Sequence, residues 1–219
     1  MTGTTRKEYV RKLDTIKSEL LNLLNDAKII VEYLFESIRS PHVPLEQATK
    51  LDREVRAKTA QLLDLCTEVL TLQQPMASDL RMILSAIRIK TDVERVVRDS
   101  LHIIELQLAE PLKEADDLRI PLEQLESTLF EMIETLKRGI KENNAEILLK
   151  LSEEDEIVDK YYAETTMKLR EYIVTHPEQA NEYLDLILSS RMVERIADHL
   201  CNIGEKAYYM ITAENIRIA

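Results

Sequence analysis

Four polar side chains near the C-terminus have the types and spacing to bind a cation. In the stretch from Arg191 to Glu205, RMVERIADHLCNIGE, the residues Glu194, Asp198, Asn202 and Glu205 fall in one narrow stripe of a helix. A second acidic pair, Asp155 and Asp159 in DEIVD, is spaced four apart and so shares one helical face. Two helices that each present carboxylates in this way can meet and hold a cation between them. Four unpaired carboxylates brought together repel: two like charges roughly 4 Å apart cost about 4 kcal/mol at an effective dielectric of about 20. Protons or a cation must relieve that repulsion. An oxygen-only donor set suits Mg²⁺, Ca²⁺, Mn²⁺ or iron better than structural zinc. The bland alternative is a pair of solvated faces, and spacing alone favours it, because carboxylates at i, i+4 are common on helices.

The elements that must position these groups are legible around them. Val193, Ile196, Leu200 and Ile203 form an apolar face set well round from the acidic stripe. Between the two lie Ala197, Cys201 and Gly204, small enough to let a neighbouring helix approach. The same grammar occurs one hundred residues earlier, in TDVERVVRDSLHIIE from Thr91 to Glu105. There Glu94, Arg95, Ile103 and Glu105 repeat Glu194, Arg195, Ile203 and Glu205, and Asp52 with Arg56 stands where the second half has Asp155 with Asp159. The chain is an internal duplication.

Composition narrows the class. With 3 Gly, 6 Pro, no Trp and 2 Phe in 219 residues, the chain reads as all-helical with an aliphatic core. A net charge of −11 argues against a nucleic-acid partner, whose phosphates it would repel. No run of about 18 apolar residues is present to span a membrane. The polar start MTGTTRKEYV carries no signal-peptide pattern. Cys66 and Cys201 sit in helical apolar patterns and read as buried thiols. The expectation is a soluble, cytoplasmic protein.

Six helices are predicted. The first starts near Thr5, where Thr5 and Glu8 can form a capping box, and carries a seam from Val10 through Leu13, Leu20, Leu24, Ala27, Val31 and Leu34 to Ile38. Proline stops it at 41–44. The second covers 45–72, with a break expected near Lys50. The third covers 79–109, with Ser78 as N-cap. After a proline-bounded linker at 111–120, the fourth covers 121–143, the fifth 153–175 and the sixth 178–213. The fold expected is two tandem three-helix bundles, in domains 1–110 and 121–219.

These motifs, with Gln74-Pro75 and Asp79-Leu80-Arg81 ahead of the first, resemble the PhoU family of phosphate-signalling proteins. The resemblance covers nearly the whole chain and is most specific at ERIADH, Glu194 to His199, followed by Asn202, Ile203 and Glu205. It implies two three-helix repeats and a cytoplasmic, non-enzymatic negative regulator of the phosphate-starvation response. Its implied partners are the ATPase of a phosphate ABC transporter and a sensor histidine kinase, so it reaches the membrane only through partners. A homodimer is left open. The resemblance also implies metal clusters, iron among them, held by Asp155, Asp159, Glu194 and Asp198, with Asn202 and Glu205 as supporting motif residues.

The first half departs from that pattern. Arg56 and Arg98 replace acidic or neutral residues, His102 replaces the asparagine seen at Asn202, and Asp99 is displaced onto another face. Arg56 is four residues after Asp52 and Arg98 four after Glu94, so each is expected to form an i, i+4 ion pair and exclude a cation. Metal is therefore expected in the second half only. His42 and His176 flank prolines and read as exposed, and His199 reads as packing or capping.

Rival functions are a redox or storage protein using the same carboxylates, or an accessory protein of another phosphate transporter. A ferritin-like di-iron bundle needs E-x-x-H pairs that the sequence does not have. There is also no G-x-S-x-G elbow and no Gly-rich phosphate loop.

Overall fold

A computed structural model describes residues 3–40, 45–72, 74–109 and 122–219. In chain order the helices are α1 (Gly3–Arg39), α2 (Leu45–Leu72), α3 (Ala77–Ala109), α4 (Leu122–Glu142), the single turn α5 (Ala145–Leu148), α6 (Leu151–Thr175) and α7 (Ala180–Thr212). A 3₁₀ turn at Pro177–Gln179 leads into α7. No strand occurs among the described residues. The predicted linker at 111–120 and the stop at 41–44 lie outside them.

The helix ends differ from the sequence reading in instructive ways. Gly3 already belongs to α1, so Thr5 is inside the helix and is not its cap. The second helix runs unbroken through Lys50. Ser78 lies in the first turn of α3, whose Leu80 amide bonds the Met76 carbonyl. Asn143, with φ 55°, makes the left-handed turn after α4, a conformation that Asn tolerates better than most residues. Asn144 then caps α5, its Oδ1 accepting the Glu146 amide at 3.0 Å.

Within the first half α1 packs on α2 and α3, and within the second α4, α6 and α7 pack on one another. The halves then join through α3 against α7 and α1 against α4. A continuous core spans both halves, with a small second cluster at Leu169, Tyr183 and Leu186. The main core runs from Leu34 and Phe35 on α1 through Ile103 on α3 and Leu136 on α4 to Leu151 on α6 and Leu200 and Ile203 on α7. Each such aliphatic side chain contributes about 1.5–3 kcal/mol by leaving water. The α1 seam is buried as expected from Leu20 to Leu34, while Val10 is exposed. Lys28 crosses to Glu134 at 3.0 Å and Arg39 to Glu126, which pins α1 along α4 from the outside.

The small-residue face of α7 does what its composition implies. Ala197, Cys201 and Gly204 are all buried. A Cβ on Gly204 would come 2.3 Å from Leu151 Cδ1 and 3.0 Å from Ile218 Cδ1. The start of α6 and the returning C-terminal tail both rest on that glycine.

Candidate metal centre and the repeat interface

Helices α6 and α7 bring the second-half carboxylates into one electrostatic neighbourhood. Asp155 is 6% exposed, and its carboxyl is pushed up to about 6, first by burial and then by the charges of Asp159 and Asp198. The buried Cys201 thiol pulls it the other way. Burial also raises Glu194 and Asp198, Glu194 feeling Asp198 next and both feeling Asp159. Asp159 itself is exposed. Asp155, Glu194 and Asp198 thus hold their protons more tightly, first because they are buried and then because like charges lie near.

A cation is already there, supplied by the chain. Arg191 donates from Nη1 to Glu194 Oε1, and its charge favours the ionised form of both Glu194 and Asp198. The guanidinium lies over the Tyr162 ring, 5.5 Å from its centroid. Glu194 Oε2, however, is buried with no hydrogen-bond partner. That orphaned oxygen is of a type a hard cation accepts. As the side chains stand, however, Glu194 closes on Arg191, and among the described residues no three His, Cys, Asp or Glu side chains are gathered tightly enough to hold a metal ion.

The motif's last residue is otherwise engaged. Glu205 Oε1 accepts the Ile218 amide at 2.9 Å, tying the tail back over α7 while Ile218 itself is buried. Asn202 lines the groove between that tail and Arg195.

The first half uses arginine as expected at one position and not at the other. Arg56 Nε donates to Asp52 Oδ2 at 2.8 Å, and the charge of Glu94 on α3 also favours the protonated guanidinium. Arg98 does not pair with Glu94. Glu94 instead pairs with Lys90 Nζ one turn before it at 3.4 Å, leaving Arg98 exposed. His102 and Glu105 are exposed and 4.0 Å apart.

Sequence reasoning missed the polar groups that join the halves. Asp92, 8% exposed, sits on α3 against α7, where His199 Nδ1 lies 3.2 Å from its Oδ1 and Lys206 Nζ donates to its Oδ2 at 2.6 Å. Burial opposes ionisation of Asp92, but the bonds from His199 and Lys206 outweigh it and hold the carboxyl below its ordinary range. One turn pair further on, Arg195 approaches Asp99 Oδ2 at 3.2 Å, an ion-pair distance without hydrogen-bond alignment. His199 is therefore a hydrogen-bond partner of Asp92 across the repeats, not a packing or capping group. A signal existed: Asp92 and Asp99 are seven apart, on the face of α3 that also carries Val96 and Ile103.

The PhoU domain profile matches residues 20–106 and again 122–207. The chain belongs to the PhoU family. Each matched segment of this PhoU chain holds one copy of the motifs described above. It is 30% identical over 212 residues to the phosphate-specific transport system accessory protein PhoU homolog of Deinococcus radiodurans, covering 94% of this chain and 98% of that one. The corresponding homolog of Borreliella burgdorferi is 23% identical over 97% of this chain and 99% of its own. Among solved structures, PhoU from Pseudomonas aeruginosa superposes with a TM-score of 0.76 at 21% identity, covering 98% of this chain and all of that one. The phosphate transport system regulatory protein PhoU from Streptococcus pneumoniae gives 0.83 at 20% identity, covering 95% and 99%. These two likenesses bear on the fold.

Proposed function

We propose that this chain is a cytoplasmic accessory regulator of phosphate transport that restrains the phosphate-starvation response by linking a phosphate ABC transporter's ATPase to a sensor histidine kinase. The carrying observation is the near end-to-end match to a relative named as a phosphate-specific transport system accessory protein homolog. No described helix is long and apolar enough to cross a membrane, which suits contact with the transporter through partner proteins. The role is one of binding, not catalysis. Residues 1–110 and 121–219 form its two repeats.

Asp155, Asp159, Glu194 and Asp198 would hold a hard divalent cation or iron in the second repeat only, where it would supply positive charge to a strained acidic cluster. Asp155 and Asp159 belong to α6 and Glu194 and Asp198 to α7, so a cation shared by all four would tie the two helices together. In the first repeat Arg56 already fills that role.

Deleting the gene tests the regulatory reading. Expression of a phosphate-starvation reporter should rise in phosphate-rich medium and return on complementation. Unchanged expression at both high and low phosphate overturns it.

A further inference from the structure

The outward face of α3 carries Leu80, Leu84, Arg88, Thr91, Arg95 and Arg98 in one stripe about 100° wide, and all six are exposed. Helical spacing gives each arginine an acid within about one turn: Asp92 for Arg88, Asp99 for Arg95 and Glu94 for Arg98. All three acids are committed elsewhere. Asp92 is taken by His199 and Lys206, Asp99 faces Arg195, and Glu94 pairs with Lys90. The seam between the repeats thus removes two counter-ions from the outer face of α3, and Lys90 removes the third. Arg88, Arg95 and Arg98 make no hydrogen bond or ion pair among the described residues. In the second repeat the same positions hold Leu188, Arg195 and Asp198, and that arginine is paired. Three free guanidiniums therefore stand in a row on a chain whose net charge is −11. Arg95 also borders a groove of about 650 Å³, whose lining adds Arg191, Arg195 and Arg217 against Asp198 and Glu205.

We propose that this face of α3 is the docking surface for an acidic amphipathic helix of a partner protein. Leu80 and Leu84 receive its apolar residues, and Arg88, Arg95 and Arg98 receive its carboxylates. The inference needs neither the regulatory nor the metal reading above. From Leu80 to Arg98 the stripe runs about 27 Å, the length of a partner helix of about 18 residues. An anionic membrane would present negative charge to the whole molecule, which a net charge of −11 opposes. A single helix meets the stripe alone. Guanidinium groups match carboxylates in paired hydrogen bonds, and at these three positions no internal ion pair has to break first.

To test this, Leu84 and Arg95 are replaced, one at a time, by a photo-crosslinking residue in living cells, and the captured segments are mapped by mass spectrometry. Both positions should capture the same segment of one protein, amphipathic and rich in Asp and Glu. A synthetic peptide of that segment should bind the purified full chain, more weakly as NaCl rises from about 50 to about 300 mM. The triple variant Arg88→Glu, Arg95→Glu, Arg98→Glu should lose at least about tenfold in affinity. The triple change to Lys, which keeps the charge, should stay within about fivefold of wild type. Leu80→Ser with Leu84→Ser should weaken binding about three- to tenfold and leave the salt dependence unchanged. These side chains are exposed, so every variant should keep the melting temperature of wild type within a few degrees. A captured segment that is neutral or basic overturns the proposal, as does capture of nothing or only of a second copy of this chain. Binding to phosphatidylglycerol vesicles without capture of a protein segment overturns it in favour of a membrane. A captured acidic peptide whose affinity the triple change to Glu leaves unchanged overturns it as well.

Discussion

His199 Nδ1 and Asp92 Oδ1 stand 3.2 Å apart, though 107 positions separate them in the chain. With Lys206 on the other carboxylate oxygen, Asp92 becomes the polar pin of the α3–α7 seam. The consequence is a strong dependence on one acid. Asp92→Ala leaves His199 and Lys206 facing each other without a counter-charge, and should cost about 3 kcal/mol. Urea unfolding of the variant beside wild type measures it, and a change below about 0.5 kcal/mol would show that the pin carries no weight.

The buried acids pull stability in opposite directions with pH. Asp92 is depressed in the folded state, so its contribution is present at neutral pH and is lost as pH falls below its ordinary value of 3.8. Asp155 is raised to about 6, so the native state binds its proton more tightly than the unfolded chain does. Stability should therefore rise as pH drops from 7 toward 5, with an Asp155 share of about 1 kcal/mol, before the loss of Asp92 takes over in stronger acid. Glu194 and Asp198, also raised, act in the same sense as Asp155. Thermal melts at pH 5.5 and 7.5 check the sign. Asp155→Asn should flatten the difference.

Elemental analysis of purified protein should find metal in the second repeat alone, and Asp198→Ala should remove it. Arg56→Asp returns a carboxylate to the first repeat and is expected to add metal there. Metal bound in the unmodified first repeat, between Asp52 and Glu94, would overturn the role given to Arg56.

Gly204→Ala should destabilise by about 1–3 kcal/mol, since the added methyl meets Leu151 inside a packed core. Tail contacts should loosen with it, seen as faster amide exchange at Ile218, whose N–H is bonded to Glu205. Arg98→Ala, by contrast, should change stability by no more than about 0.5 kcal/mol, because the Arg98 side chain is exposed and Glu94 pairs elsewhere.

The helices were readable because their apolar spacing is regular, and the duplicated motif located α3 and α7 before any coordinates. Single-residue ends were less legible: Thr5 and Ser78 have cap chemistry, yet helical turns simply continue past them. The Arg56–Asp52 pair followed from i, i+4 spacing within one helix. Arg98 failed the same rule because two partners at equal spacing, Lys90 and Arg98, competed for Glu94, and the spacing does not say that Lys90 takes it. Arg191 was hidden for a related reason. It stands three residues before Glu194, and the same spacing on a solvated helix would mean nothing. Asp92 with His199 and Lys206 is a contact between repeats, and no periodicity within one helix reports which residues will face each other across a seam.

The α3–α7 seam also has a polarity that its duplicated origin does not require. Two identical repeats meeting through this helix would carry the same side chains at both ends of the seam. In this chain Asp92 corresponds to Met192 and His199 to Asp99, so the Asp–His pair has no mirror image. Fusing the repeats freed each position to vary alone and gave the seam a direction. A partner that docked across it would meet two unlike ends, where a symmetric pair of repeats would have offered two equivalent ones.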